Sequence, residues 1–231
     1  QVLMPLLNKN SMNKTDLINS IKRQLPITNV KVVENLSSCV DEISVGNSIL
    51  LLEGQTEALV FGLTKFEKRS VEEPEAETAI RGPREGFTES LQVNTSLVRR
   101  IIKSPELKMK SVEVGKYTKT KIVITYMESL ADPSLIKELE NRLGRIDVDG
   151  VLESGYIEQY IEDKPYSPFP QLLYTERPDV VSANLLEGRA VLIINGTPFA
   201  LIAPVSLFSL LQSPEDYYER FWLGTFVRSL R

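Results

Sequence analysis

The last quarter of the chain, residues 167–221, constrains the fold more than any other stretch, because its helix and strand boundaries are marked by specific residue types. Gln171–Tyr174 is a short apolar run typical of a strand. Pro178 favours the first turn of a helix, and Asp179 suits its positive end. Gly188 is a typical helix stop. The pattern predicts a strand followed by a helix of about ten residues.

A hairpin is predicted directly after this helix. Ala190–Ile194 and Phe199–Ile202 are β-rich runs, and Asn195-Gly196 between them accepts the positive φ angles of a tight turn. Pro214 then marks the start of a last helix, since a serine precedes it and an aspartate follows. The predicted order is strand, helix, strand, hairpin, strand and helix.

A related pattern lies 142 residues upstream. There the strand Val30–Val33 and a short helix ending at Gly46 are followed by the runs Ile49–Leu52 and Ala58–Gly62. Gly46 falls on Gly188 under this shift, and the two apolar runs fall on the two later runs. The chain therefore contains two β-α-β-β units, which form either two related subdomains or two repeats that share a sheet.

The region between the units adds further elements. An amphipathic helix is predicted at Thr15–Leu25 and another at Leu91–Lys103. The second is expected to bury Leu91, Val98, Ile101 and Ile102. Alternating helices and strands then continue to the second unit, as in a layered α/β domain. They comprise strands Leu107–Val114 and Lys119–Met127, a helix opened by Asp132-Pro133, and a helix at Leu152–Ile161 whose Tyr156, Ile157, Tyr160 and Ile161 are expected in the core.

The predicted fold class is α/β, with two α/β subdomains built around related β-α-β-β units and joined by a charged linker. The linker begins with Glu67–Glu77, which has no apolar run and a central proline. We expect an N-terminal subdomain at residues 12–66, the linker and following loop at 67–90, and a C-terminal subdomain at 91–231.

Composition argues against several classes of function. The 231 residues include no histidine and one cysteine, Cys39, so histidine-based catalysis, histidine zinc ligands and cysteine clusters are not expected. We expect no metal and no cofactor, and no recognisable catalytic spacing of carboxylates is present. The net charge of −4 does not favour nucleic-acid binding. We see no signal peptide and no run of about 18 apolar residues, so no membrane span is expected.

Two basic regions are candidate binding or subunit-contact sites. The stretch 81–88, RGPREGFT, is a rigid irregular loop in which Arg81, Arg84 and Glu85 carry charge. Its arginines either pair with neighbouring acids or bind an anion or another subunit. Arg99 and Arg100 lie at a helix C-terminus, where the helix dipole alone favours cations.

Glu176, Arg177 and Asp179 form a third candidate site. They lie at a strand-to-helix junction, where open α/β sheets place ligands. With Arg81 and Arg84 they would hold a small molecule such as an amino acid. The alternative is that Arg177 and Asp179 pair with each other or cap the helix.

The last predicted helix is rich in aromatic residues. It either packs on its own domain or forms an interfacial segment next to a membrane, where aromatic residues and arginines favour the headgroup level. The residues concerned are Tyr217, Tyr218, Arg220, Phe221 and Trp222.

Several long strings resemble the GerA family, the A subunits of spore germinant receptors in Bacillus and Clostridium relatives. The resemblance covers roughly residue 49 to the end. It is carried by the following segments: Arg81–Phe87, Leu152–Glu158, Ser167–Pro170, Thr175–Asp179, Asn184–Arg189, Asn195–Phe199 and Ser213–Arg220.

The resemblance implies a soluble, non-enzymatic receptor domain that assembles with B and C subunits in the spore inner membrane, on the spore-core side. It implies a membrane domain after Arg231 that attaches this chain to the membrane. Nutrients trigger such receptors and ion release follows, so the domain would support assembly and transmit the signal to a membrane channel. Self-association of A subunits is a compatible role. The alternative function is direct binding of an amino acid, sugar or nucleoside; a hydrolase or transferase is disfavoured.

Overall fold

A computed structural model describes residues 30–52, 56–62, 77, 83, 85–163 and 170–205. The contacts divide the chain into two units, one with residues 1–67 and 103–105, the other with residues 68–102 and 106–231. The helices predicted at 15–25 and from Pro214 onward lie outside the described residues, as does most of the charged linker. The subdomain boundaries at 66 and 91 therefore stay a prediction.

The described residues of the first unit form three strands and one helix. The elements are β1 (Val30–Val33), α1 (Leu36–Ser44), β2 (Ser48–Leu51) and β3 (Ala58–Phe61). β3 lies in the middle of the sheet and pairs antiparallel with both β1 and β2. All four β3 residues are buried, and α1 packs on this sheet through the buried Cys39.

The second unit is larger and has a five-stranded antiparallel sheet in the order β4-β5-β7-β8-β6. Its described elements are α2 (Leu91–Ile101), β4 (Leu107–Val114), β5 (Thr120–Met127), α3 (Pro133–Arg145), α4 (Ser154–Ile161), β6 (Leu173–Thr175), α5 (Pro178–Leu186), β7 (Ala190–Ile194) and β8 (Ala200–Ala203).

Strand alternation divides the core of the second unit between the two faces of its sheet. Leu192 and Ile194 point to one face with α3 and α4, and Val191 and Ile193 point to the other with α2 and α5. All five β7 residues are buried, as expected for a central strand covered on both faces. The α/β prediction is confirmed in this three-layer arrangement.

The two β-α-β-β units correspond residue by residue. Adding 142 to the bounds of α1 gives those of α5, and the positive-φ Gly46 maps onto the positive-φ Gly188. The strand registers also agree, because the pairs Lys31↔Val60 and Leu50↔Leu59 map onto Leu173↔Ile202 and Leu192↔Leu201. The units lie in different sheets, so the alternative of one shared sheet is wrong for the described strands.

Two helix faces differ from the sequence prediction. In α4, Ile157 and Ile161 are buried, whereas Tyr156 and Tyr160 are 48% and 50% exposed, so the predicted tyrosine burial is wrong. The two isoleucines are four residues apart and share a face, and the tyrosines occupy the neighbouring, more polar stripe. In α2, Ile101 is largely exposed and Leu97 takes its place in the core. None of the helices in the described residues is both long and apolar enough to cross a bilayer.

Candidate functional site

A buried arginine lies at the β6–α5 junction. The Arg177 side chain is 1% exposed, and it is held by Asp179 through two parallel bonds, Nε to Oδ1 at 3.2 Å and Nη2 to Oδ2 at 2.7 Å. This fork satisfies the planar guanidinium in the geometry that binds carboxylates best. The helix boundary explains the arrangement, because Arg177 occupies the N-cap position and Asp179 lies in the first turn.

The remaining Arg177 contacts reach a distant part of the chain. Nη2 donates to the Pro83 backbone oxygen at 3.2 Å, and Nη1 lies 3.5 Å from that of Glu77. The Phe87 N–H donates to the Glu176 carbonyl at 2.7 Å, and the Phe87 ring is buried in the core. These bonds connect Glu77, Pro83 and Phe87 to the β6–α5 junction. We call Glu77, Thr175, Arg177 and Asp179 the junction cluster.

Glu77 contributes a second carboxylate to the junction cluster. Its Oε2 accepts from the Thr175 hydroxyl at 2.6 Å, and that hydroxyl accepts from the Arg177 N–H at 3.1 Å. Burial raises the pKa of Glu77 above its usual value and outweighs the opposing effects of the Thr175 hydroxyl, the Glu176 backbone N–H and the Arg177 charge. The cluster is thus a buried cation between two acids, one of which has its pKa raised by burial.

A second ion pair connects the same loop to α2. Arg100 donates through Nη2 to the Glu85 carboxylate. Both residues were candidate subunit contacts, and the structure brings them together within one chain. Arg99, the adjacent candidate, is exposed. Arg100 therefore pairs with an acid of the same chain, a contact that the helix-dipole explanation of this basic helix end did not predict.

The start of α2 is tied to the loop and to the β7–β8 turn. Asn94, 1% exposed, accepts from the Thr88 N–H at 2.8 Å and donates to the Thr88 carbonyl at 2.6 Å. The Gly196 N–H donates to the Glu89 carbonyl at 2.8 Å, and Asn195 accepts from the Leu91 N–H at 3.3 Å. Asn195 and Gly196 thus form a turn that also binds a helix start.

The structure separates the predicted site residues into two contact groups, the exposed Arg99 and a set that it does not describe. Glu176, Arg177 and Asp179 meet in one place, and Glu85 meets Arg100. Several candidates lie outside the described residues, so they stay predictions: Arg81, Arg84, Tyr217, Tyr218, Arg220, Phe221 and Trp222.

Sequence reasoning missed Glu77 and Asn94. Glu77 was assigned to an exposed acidic linker, and no local signal distinguishes it from the other glutamates of that stretch. Asn94 is a polar residue on the buried side of an otherwise amphipathic helix, which is a usable signal because such a residue needs a hydrogen-bond partner.

A cavity of about 700 Å³ lies beside α3 in the second unit. Arg142 is the one basic side chain among its described lining residues, and it is engaged by Glu138 at 2.7 Å, by the Ile161 carbonyl and by Asp163. A nutrient carboxylate would have to displace these acids. The described lining therefore does not favour an amino-acid site.

The described residues show no cluster of three or more histidine, cysteine or acidic side chains that would bind a metal ion. The junction cluster is a buried charge network whose cation and acids all belong to this chain. Such a network fixes the position of a loop and supplies no unengaged nucleophile.

Comparison with known proteins identifies the family. A family model described as Bacillus/Clostridium GerA spore germination protein matches residues 1–231. The chain belongs to the GerA family. Spore germination protein KA of Bacillus subtilis (strain 168) is 44% identical over 228 residues, which are 98% of this chain and 42% of that protein. Spore germination protein GerLA of Bacillus cereus is 40% identical over 211 residues, 91% of this chain and 43% of that protein.

A solved structure also matches this member of the GerA family. The crystal structure of the N-terminal domain of the A subunit of the Bacillus megaterium spore germinant receptor GerK3 superposes with a TM-score of 0.62 at 37% identity. The match covers 87% of this chain and 72% of that one. The chain spans less than half the length of the curated relatives above.

Proposed function

We propose that this chain is the N-terminal domain of a germinant receptor A subunit and that it acts in receptor assembly and signal transmission. The observation that carries the proposal is the match of almost the whole chain to the N-terminal domain of the GerK3 A subunit. In this proposal B and C subunits are its receptor partners, A subunits self-associate, and a following membrane domain attaches it to the spore inner membrane on the core side.

The geometry of the predicted site supports this role over nutrient binding. Arg177, the cation best placed to bind a carboxylate, is 1% exposed and already forked to Asp179. Arg100, half-buried, is bound to Glu85. Arg177 also binds the carbonyls of Glu77 and Pro83, so the two arginines tie described residues of the stretch 77–87 to α5 and α2. No enzymatic activity is proposed.

A chimeric receptor tests the proposal. The segment of Bacillus subtilis spore germination protein KA that matches this chain is replaced by residues 1–231, and spores are exposed to amino acids, sugars and nucleosides. A domain for assembly and transmission keeps the nutrient response of the host receptor. We therefore expect chimeric spores to germinate with the nutrients that trigger the unmodified receptor.

One further strain makes the result decisive. Spores whose receptor lacks the segment altogether are expected not to respond. Transfer of the nutrient preference with residues 1–231 would contradict the proposal and favour direct nutrient binding. An intact response without the segment would also contradict it.

A further inference from the structure

One asparagine-glycine pair occurs in the sequence, Asn195-Gly196, and it lies in the turn between β7 and β8. An asparagine amide is most prone to lose ammonia when glycine follows it, because glycine has no side chain to obstruct attack by its backbone nitrogen. Both residues are exposed, and a Cβ at position 196 would meet no described atom within 4 Å. The turn therefore has the residue types and the space that this reaction needs.

The reaction consumes water alone. The Gly196 nitrogen forms a bond to Cγ of Asn195, the bond from Cγ to Nδ2 breaks, and ammonia leaves with the proton that the Gly196 nitrogen gives up. The product is a cyclic imide. Water then opens the ring at either of its carbonyl carbons, which yields aspartate or isoaspartate, and nothing is oxidised or reduced.

Hydrogen bonds in the folded chain restrain both reacting groups. The Gly196 N–H donates to the Glu89 carbonyl at 2.8 Å, and the amide oxygen of Asn195 accepts from the Leu91 N–H at 3.3 Å. The Asn195 N–H donates to the Lys121 carbonyl of β5 at 3.0 Å. Attack requires the Gly196 nitrogen to lose its proton and to approach Cγ, so its bond to Glu89 has to break first.

The partners of the turn belong to the start of α2. Glu89 and Leu91 flank Ser90, the N-cap residue of this helix. Asn94, one turn into the helix, is 1% exposed and fixes the same segment through its bonds to the N–H and the carbonyl of Thr88, at 2.8 and 2.6 Å. Movement of the start of α2 away from the turn therefore removes the bonds to Glu89 and Leu91 together.

The two products have different effects on this contact. Aspartate keeps an oxygen that accepts from the Leu91 N–H, and its charge suits the positive end of a helix. Isoaspartate adds a carbon atom to the main chain between residues 195 and 196. The Gly196 N–H is then displaced from the Glu89 carbonyl, so the turn loses its bond to the start of α2.

We propose that Asn195-Gly196 is a deamidation site whose reactivity is set by the contact between the turn and the start of α2. The closed contact slows the reaction, its opening releases the reacting groups, and the isoaspartyl product prevents the contact from forming again. The extent of deamidation thus reports how often the start of α2 leaves the turn. This inference goes beyond the proposed function and does not depend on it.

The rate of deamidation in the folded chain tests the proposal. The 231-residue chain and a synthetic peptide of residues 190–200 are incubated at mildly alkaline pH. Peptide mass spectrometry measures the conversion of Asn195, and labelling by protein isoaspartyl methyltransferase measures isoaspartate. We expect conversion in the folded chain to be at least tenfold slower than in the peptide, because the peptide lacks Glu89 and Leu91.

A pair of variants in α2 relates the rate to the contact. Asn94→Ala removes the bonds to Thr88 and should raise the rate in the folded chain about tenfold, since the loss of a buried hydrogen bond lowers the cost of local opening. Arg99→Gln alters an exposed position of the same helix and should leave the rate unchanged. Circular dichroism establishes that both variants are folded.

Hydrogen exchange of the Gly196 N–H measures the same opening in the unaltered chain, so the test does not depend on a variant. We expect this amide to exchange more slowly than in the peptide, because it donates to the Glu89 carbonyl.

Four results would overturn the proposal. Equal rates of conversion in the folded chain and the peptide would show that the fold does not control the site. A folded Asn94→Ala variant with the wild-type rate would show that the start of α2 does not restrain the turn. Exchange of the Gly196 N–H as fast as in the peptide would contradict the restraint directly. An absence of conversion in the peptide would show that the pair is not reactive.

Discussion

At the scale of single residues, the junction cluster shows how a charge is kept inside the fold. A lone buried guanidinium is costly, and Arg177 avoids that cost through Asp179 and the carbonyls of Pro83 and Glu77. The bonds reach across about a hundred residues of sequence. The side chain is therefore a structural tie for the loop as well as a partner of its neighbour.

Replacement of Arg177 by glutamine should destabilise the chain by about 3–5 kcal/mol, because Asp179 would remain buried without its partner. Arg177→Lys should recover only part of this loss, since an ammonium group cannot form the two parallel bonds. Urea unfolding measures the free energy. Arg99→Gln, at an exposed position, is the control and should stay within about 0.5 kcal/mol of the wild type. Equal effects at both positions would refute the structural role of Arg177.

Glu77 should make stability depend on pH in an unusual direction. Its pKa in the folded chain is raised above the usual 4.5 by burial, so the native state binds more protons than the unfolded state between the two values. Stability contributed by this group is present below the unfolded pKa and falls as pH rises through the folded pKa.

The variant Glu77→Gln should therefore gain stability relative to the wild type as pH rises from about 4 to about 7. The amide oxygen of glutamine can still accept from the Thr175 hydroxyl, so that hydrogen bond is retained. Melting curves over this pH range give the difference. The exposed Glu89→Gln serves as the comparison and should show little change; a flat difference for Glu77→Gln would contradict the expectation.

Only local partners in the junction cluster were predictable from the sequence. Arg177 and Asp179 are two residues apart at a helix start, so pairing was a stated alternative. Glu77 and Pro83 lie 100 and 94 residues away from Arg177, and no local pattern indicates contacts over such a distance. Glu85 and Arg100 are 15 residues apart, and their contact depends on how a loop packs on a helix, which no local pattern indicates.

At the scale of elements, glycines with positive φ set the helix and hairpin ends. Gly188 has a φ of 85° and Gly196 a φ of 93°. A Cβ at position 188 would lie 2.7 Å from the Leu130 carbonyl oxygen, whereas one at position 196 would meet no atom within 4 Å. A residue with a side chain would be strained by the positive φ at both positions, but only at position 188 would it also lack space.

Gly196→Ala should cost about 1–2 kcal/mol, the penalty of the left-handed conformation alone. Gly188→Ala should cost more, because backbone atoms at Leu130 must also move. Chemical denaturation of the two variants provides the comparison. Equal losses, or a larger loss at Gly196, would show that the close approach at Gly188 is unimportant.

The matched helices α1 and α5 make a further comparison. Leu185→Ala should destabilise the chain by about 2–5 kcal/mol, because this residue is 0% exposed in a packed cluster. Ile43→Ala changes the corresponding position, which is 57% exposed, and should stay within about 0.5 kcal/mol. Thermal unfolding measures both. A large loss at Ile43 would mean that another part of the chain covers this side of α1.

Strand and helix positions were well predicted where proline, glycine and apolar runs mark them, as at Pro178, Gly188 and Ala190–Ile194. The orientation of helix faces was predicted less well. Tyr156 and Tyr160 were expected in the core because they are aromatic, yet a helix of eight residues buries one narrow stripe, and the isoleucines occupy it.

At the scale of the whole molecule, the proposed role predicts that nutrients do not bind this chain and do not raise its Tm. A ligand at a hundred times its dissociation constant stabilises a protein by about 2.7 kcal/mol. For a chain of this size that corresponds to a rise in Tm of about 5–10 °C. We expect no such rise with amino acids, sugars or nucleosides. A saturable shift that disappears in an otherwise folded Arg142→Gln variant would instead assign nutrient binding to the cavity beside α3.

The repeat was predictable from sequence because its glycines and apolar runs recur at one offset, and the strand registers agree at that offset. The separation into a three-stranded and a five-stranded sheet was not predictable from the sequence, because it depends on β5 pairing with β7. That pairing joins segments about seventy residues apart. Sequence patterns show which runs are strands, but they do not show which strands distant in sequence pair with each other.

The β5–β7 pairing also has a consequence for synthesis on the ribosome. The chain emerges from its N-terminus, so β4 and β5 leave the tunnel well before β7, and the loop around Pro83 emerges long before Arg177. Until then β5 presents a free edge of eight residues, a template for unwanted pairing. Nascent chains that stall before residue 190 are therefore expected to aggregate or to recruit chaperones, and those released after residue 205 are expected to close their sheet.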